Sequence, residues 1–375
     1  MDKKKLRSGY TTGTCAAIAA KAAAKMIFEQ KDILQEMVIT PKQVKIETLI
    51  QHIKRQKNKV SCAVQKDAGD DPDVTDKMLI YAEVTLQTER QIVIDGGVGV
   101  GRVTKRGLHQ DIGEAAINPV PRQMISEAVQ EVLDRYGYEA GAKVIISIPK
   151  GEEIAQKTFN ERLGIVGGLS ILGTSGIVEP MSEQALIDTI HVEMNVASEN
   201  NGGILLVTPG NYGADFVNKS LKLSLEYAVK CSNYLGEMLD YAKEIQVKKI
   251  LLTGHVGKLI KLAGNIMNTH SHMADCRMEI LGVHAAMAGA DACTVKQIME
   301  CISTDEAIRI MKEQGCFKTA MHTIMEKIKY YTSLRCGQHY TIEVIIFSNE
   351  WGILGQTSGA EALVEEIRTM QFKEQ

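Results

Sequence analysis

Leu251-Leu252-Thr253-Gly254-His255-Val256-Gly257-Lys258-Leu259-Ile260-Lys261-Leu262-Ala263-Gly264 passes from an apolar run through a tight glycine turn into helical spacing. That is the strand, turn and helix of one α/β unit. The pattern repeats outward from there. Short apolar runs bounded by glycine at 144–148, 204–207, 249–253 and 341–347, with 225–231 as a fifth candidate, alternate with helical stretches at 182–197, 234–245, 258–267, 278–288, 295–299, 304–314, 318–331 and 360–370. Alternation of this kind predicts a mostly parallel sheet, a Rossmann-like α/β domain over 141–375.

Upstream the character differs. An alanine-dominated stretch of high helix propensity at 14–30, with Thr14 as the expected N-cap, precedes four strand-like runs at 44–50, 59–64, 78–86 and 91–94. A helix is expected at 121–136, entered through Asn118-Pro119-Val120-Pro121. Residues 1–140 therefore read as an α+β domain with antiparallel strands, and the boundary falls close to Gly141.

Across its 375 residues the chain is 45% hydrophobic and 24% charged, with a net charge of −3. This is the profile of a globular protein with no nucleic-acid-like charge excess, and no stretch reaches the length of a membrane span. The balance is uneven, since residues 1–66 hold 14 Lys and Arg against 5 Asp and Glu. Such a segment suits an anionic ligand or a solvated face that pairs within the protein. Eight cysteines are scattered without a CxxC pair, which reads as reduced thiols in a cytoplasmic protein. The lysine-rich start imitates a targeting signal, but Lys21 and Lys25 interrupt the alanine run behind it.

Several segments carry candidate chemistry. Arg7-Ser8-Gly9-Tyr10-Thr11-Thr12-Gly13-Thr14-Cys15 leads straight into a helix, where orphan amides and the dipole favour an anion; a well-capped helix entry is the plainer alternative. Asp67-Ala68-Gly69-Asp70-Asp71-Pro72-Asp73 gathers carboxylates without calcium-loop spacing, and the glycine-rich 96–108 adds Arg102, Lys105 and Arg106. The loop 164–176 and Thr208-Pro209-Gly210-Asn211-Tyr212-Gly213 are expected after parallel strands, where open α/β sheets bind ligands. Gly257-Lys258 lacks the Ser or Thr of a phosphate loop, because Leu259 stands there, so nucleotide hydrolysis is disfavoured. Asn268-Thr269-His270-Ser271-His272-Met273-Ala274-Asp275-Cys276 has ligand types that zinc accepts without the usual spacing, so no protein-bound metal is expected.

Taken in order, the run Arg7–Ala17, the acidic loop Asp67–Thr75, Gly99-Val100-Gly101-Arg102-Val103-Thr104, Ala116-Ile117-Asn118-Pro119-Val120-Pro121-Arg122, Gly254–Leu259 and Thr269-His270-Ser271 resemble the cobalt-precorrin-5B C1-methyltransferase family, CbiD, over residues 6 to about 360. The resemblance implies transfer of a methyl group from S-adenosylmethionine to C1 of a cobalt-bearing tetrapyrrole in anaerobic cobalamin biosynthesis, giving cobalt-precorrin-6A. Cobalt then enters only inside the substrate. A carboxylate-fringed macrocycle fits Arg7, Thr11, Thr12, Gly13, Thr14, Asp67, Asp71, Arg102, Arg122, Lys258 and Lys261 as substrate-binding residues. Gly168, Gly173, Thr174, Ser175, Thr208 and Gly210 are the expected cofactor-binding positions, and His255 or His270 the expected general base. Homo-oligomerisation or contacts with enzymes of the same pathway belong to this expectation, as does the alternative of a tetrapyrrole-binding or channelling protein without transferase activity.

Overall fold

Threonines at 11, 12 and 14 and the alanines behind them set the centre of the first unit. A short strand β1 (Gly9–Tyr10) enters helix α1 (Thr12–Glu29), whose N-cap is Thr11 rather than Thr14 because the Thr11 side chain accepts the Thr14 amide. The computed structural model describes residues 6–226 and 228–373 and divides the chain into Met1–Glu183 and Gln184–Gln375.

In the first unit α1 is followed by β2 (Gln35–Ile39), β3 (Lys45–Gln56), β4 (Lys59–Gln65), β5 (Leu79–Leu86), β6 (Ile92–Gly96), β7 (Arg102–Val103), α2 (Pro119–Arg135) and β8 (Ala142–Ser147). Then come α3 (Gly151–Ala155), β9 (Ile165–Val166) and β10 (Ile177–Val178). Six strands form one sheet in the order β2-β3-β4-β5-β8-β6. Its pairs are antiparallel except β6 with β8. Helix α1 is buried from Thr12 to Ala24, and its small side chains share a core with Cys62, Ile80, Ala82, Ile125 and Val129 of the sheet and α2. Methyl-sized residues let helix and sheet backbones approach closely.

Strand β8 corrects the expected boundary. The apolar run 144–148 suggests a strand in the parallel sheet of a second domain, yet Ala142–Ser147 lies between β5 and β6, antiparallel to one and parallel to the other. The first unit therefore runs on to Glu183 rather than ending near Gly141. Two small pairings, β1 with β10 and β7 with β9, tie the later loops to the earlier ones.

The second unit takes up α4 (Glu183–Asn200) and continues with β11 (Ile204–Thr208), α5 (Asn211–Phe216), a π turn (Val217–Leu221), β12 (Ala228–Lys230), α6 (Leu235–Glu244) and β13 (Lys249–His255). Beyond them lie α7 (Val256–Leu259), a 3₁₀ turn (Ile260–Gly264), α8 (Arg277–Met287), α9 (Ala292–Glu300), α10 (Thr304–Glu313), α11 (Phe317–Cys336), β14 (Thr341–Ser348), β15 (Gly352–Gln356) and α12 (Ala360–Lys373). The sheet order is β12-β11-β13-β14-β15. The first four strands are parallel and β15 adds an antiparallel edge, so the fold is mixed α/β with sheets of mixed direction. Both faces are covered: Leu205, Val207, Ile250 and Leu252 pack on one side, and Leu206, Leu251, Phe347 and Phe216 on the other. The helix expected at 258–267 is broken, because α7 tightens into the 3₁₀ turn and stops at left-handed Asn265. Among the described residues no helix is long and apolar enough to cross a membrane.

Candidate functional site

The first unit brings the amino-terminal motif and the acidic loop together. Arg7 grips Asp67 with both guanidinium arms, at 2.6 and 2.8 Å, while its amide donates to Asp70 at 2.7 Å. The Arg7 guanidinium hydrogen-bonds Asp67 and holds its carboxyl below the usual carboxylate range. Asp71 accepts the Met181 amide at 3.1 Å. Beneath them Lys66, buried, donates to Asp73 at 2.6 Å. Burial alone would raise the Asp73 carboxyl, but hydrogen bonds from Lys66 and Thr75 outweigh it and the net shift is downward.

The expected anion cradle at the start of α1 is filled by the protein itself. The Gly13 amide donates to the Leu172 carbonyl at 3.1 Å, the Thr14 amide to Thr11 Oγ1, and the Thr14 hydroxyl to the Gly176 carbonyl at 2.7 Å. Thr12 Oγ1 accepts from the Leu172 amide at 3.0 Å, and Thr11, Thr12 and Thr14 are all buried. Gly173, with a φ of 131°, lies so close that a Cβ there would sit 2.3 Å from Thr11 Oγ1. Loop 164–176 thus closes the helix entry and does not follow a parallel strand of the second unit. This removes the ground on which Gly168, Gly173, Thr174 and Ser175 were assigned to a cofactor. Gly168 packs on Gly99, Ser175 Oγ donates to the Ile177 carbonyl, and Thr174 is exposed.

Arg122 and Arg102 divide. Arg122 spends its guanidinium on the carbonyls of Ile117, Ile94 and Ala115, at 3.0, 2.9 and 3.3 Å, which makes it an internal clamp. Arg102 pairs with Asp95 at 2.7 Å and the Gly96 carbonyl, with 43% of its side chain exposed.

In the second unit the carboxyl ends of β11 and β13 collect the remaining candidates. Register pairs Val207 with Leu252, so the next pair sets Thr208 beside Thr253 on one face, and two residues on His255 stands opposite Phe347. His255 caps α7: its Nδ1 accepts the Gly257 amide at 3.1 Å. An amide can only donate, so the imidazole proton resides on Nε2 and the ring's one lone pair is taken. Burial pushes the His255 pKa down, against a smaller opposing pull from Asp305, and keeps the ring neutral. In this arrangement His255 offers a donor rather than a base. His270 repeats the device with the His272 amide at 3.2 Å, on an exposed loop.

Lys258, half-buried, donates to the Pro209 carbonyl at 2.9 Å and faces the Ser232 carbonyl at 3.5 Å. Among the described residues no carboxylate pairs with it, and burial draws its pKa down from the ordinary lysine value. Lys261 is buried, with its ammonium on the carbonyls of Thr269 and Ala274 at 3.0 and 2.8 Å, where it anchors the 269–274 loop. Asp275 pairs with Arg277. Among the described residues no group of His, Cys, Asp and Glu is arranged to hold a metal ion. In the sequence pattern Thr253 marks only the end of a strand. Its signal was present all the same, since Thr208 and Thr253 each place a hydroxyl after an otherwise apolar strand.

The chain matches the CbiD family model over residues 1–180 and the model of the CbiD C-terminal domain over 268–358. A protein of Ruminiclostridium cellulolyticum named cobalt-precorrin-5B C(1)-methyltransferase is 51% identical over 97% of this chain and 96% of its own length. One of the same name from Alkaliphilus metalliredigens is 43% identical over 100% of this chain and 98% of its own. The crystal structure of the cobalamin biosynthesis protein CbiD from Archaeoglobus fulgidus is 26% identical, spanning 72% of this chain and 84% of that one, with a TM-score of 0.39. On the family models and the near full-length relatives, this chain belongs to the CbiD family.

Proposed function

We propose that this protein methylates C1 of cobalt-precorrin-5B to give cobalt-precorrin-6A in anaerobic cobalamin biosynthesis, with S-adenosylmethionine as methyl donor. The observation that carries the reading is the 51% identity, sustained over 97% of the chain, to a relative bearing that enzymatic name. Four parallel strands with both faces covered support describing the second unit as Rossmann-like, and folds of that kind bind ligands outside the strands' carboxyl ends. A reducing cytoplasm suits the eight free cysteines.

Three features of the carboxyl edge fit a donor with an amino-acid tail and a nucleoside: the Thr208–Gly210 loop, the Nε2–H of His255, and a half-buried Lys258 ammonium that meets the carbonyls of Pro209 and Ser232 and, among the described residues, no carboxylate. The donor supplies an electrophilic methyl on a sulfonium. Lys258 binds its carboxylate, His255 donates a hydrogen bond through Nε2, and the loop shields the site from water. Holding the reactants near attack distance is the protein's main contribution to an in-line methyl transfer. In the first unit Arg7 and Arg102 carry exposed ion pairs, which contribute little to stability and exchange readily for substrate carboxylates. Arg122 and Lys261 act as scaffold.

Anaerobic incubation of the purified protein with methyl-labelled S-adenosylmethionine and cobalt-precorrin-5B tests the proposal. Label in the macrocycle is the expected result. Tight macrocycle binding without transfer would instead establish a binding or channelling protein.

A further inference from the structure

Thr208 and Thr253 are each 0% exposed, and among the described residues neither side-chain hydroxyl has a hydrogen-bond partner. Buried polar groups in folded proteins are nearly always paired, because an unpaired one has given up its water for nothing. Here two lie side by side on one face, at the sheet edge where the donor is placed. Helix α5 covers them. It comes closest through Gly213, where an added Cβ would stand 3.0 Å from Thr208 Cβ and 3.0 Å from the Thr253 carbonyl oxygen. The covering segment starts at Gly210, and behind Gly213 it is anchored by Phe216, Val217 and Leu221, buried against Leu206, Leu251 and Phe347. Lys258 holds the Pro209 carbonyl at its root.

We infer that Thr208 and Thr253 are hydroxyl contacts for the donor's nucleoside, and that the Gly210–Gly213 start of α5 shifts off them when the donor enters while Phe216, Val217 and Leu221 stay packed in the core. This rests on the donor site proposed above. Two adjacent hydroxyls, each able to donate and to accept, match the paired hydroxyls of a ribose. With the cover closed they have no partner among the described residues. With the cover displaced the ligand provides one.

The test is Thr253→Val in the full chain, read by calorimetric titration of S-adenosylhomocysteine and by the thermal midpoint. Valine keeps the shape and removes the unpaired hydroxyl, so the ligand-free protein should melt at an equal or higher temperature. Affinity for S-adenosylhomocysteine should fall about tenfold, the equivalent of one hydrogen bond, and Thr253→Ser should restore most of it. Unchanged affinity in Thr253→Val would overturn the inference while leaving the donor site standing. Should that variant fold poorly, Thr208→Val takes its place with the same expected outcomes. A wild-type protein that does not bind S-adenosylhomocysteine would overturn the donor assignment itself, and this inference with it.

Discussion

Replacing Lys258 with Met keeps the apolar stem and removes the ammonium. In the structure that ammonium has one good acceptor, the Pro209 carbonyl at 2.9 Å, a second at the 3.5 Å limit, and no carboxylate among the described residues. At least one N–H is therefore free for the donor's carboxylate, and a charge-assisted hydrogen bond contributes about 1.5–3 kcal/mol. At about 1.4 kcal/mol per factor of ten, Lys258→Met should weaken S-adenosylhomocysteine binding roughly 10- to 150-fold. Calorimetry on methylthioadenosine, which lacks the amino-acid tail, supplies the control: the variant and the wild type should bind it alike. The charged form also sets a pH dependence. Burial lowers the Lys258 pKa, so affinity should hold at lower pH and decline as pH rises through that depressed value. Equal weakening of both ligands, or of neither, would refute the carboxylate role.

Other residues give sharper tests of the scaffold and of the base. His255→Gln should retain methyl transfer within about tenfold, since an amide donor replaces Nε2–H; a loss of about 100-fold or more, the general-base range, would restore the base role. Arg122→Met removes three carbonyl contacts and should lower stability to urea by about 3 kcal/mol, with substrate affinity little changed in protein that remains folded. Unaltered stability with lost binding would make Arg122 a substrate residue after all. Asp73→Asn leaves the buried Lys66 ammonium without its carboxylate and should cost about 3 kcal/mol at neutral pH. The folded-state pKa of Asp73 is depressed, so its contribution is present above the unfolded value and lost as pH falls through the folded one. The stability gap between variant and wild type should accordingly close in strong acid; a gap constant with pH would show that the ion pair is not its source.

Much of the second unit was legible because its strands are buried on both faces and so appear as continuous apolar runs between glycines. The same signal misled at Ala142–Ser147, whose apolar run also suits the interior of a mainly antiparallel sheet. Strand Gln35–Ile39 was missed, since an edge strand tolerates polar residues and its buried Glu36 is neutralised by Lys25, 2.6 Å away. At the candidate site, residue types were visible but partners were not. A cation in a glycine-rich motif looks the same whether it meets a ligand or, like Arg122 and Lys261, a set of backbone carbonyls. The cradle before α1 has the expected amides, but in the fold loop 172–176 takes those of Thr11 and Gly13 while Thr11 caps that of Thr14. The tautomer of His255 depends on an amide two residues away, a relation that spacing alone does not encode.

The most direct test of the central claim is the position of the transferred carbon. Carbon-13 methyl-labelled S-adenosylmethionine, anaerobic cobalt-precorrin-5B and the wild-type protein should yield a product whose heteronuclear NMR correlations place the labelled methyl at C1. Label attached at any other ring position, or a macrocycle recovered without label from folded, substrate-bound protein, would contradict the account.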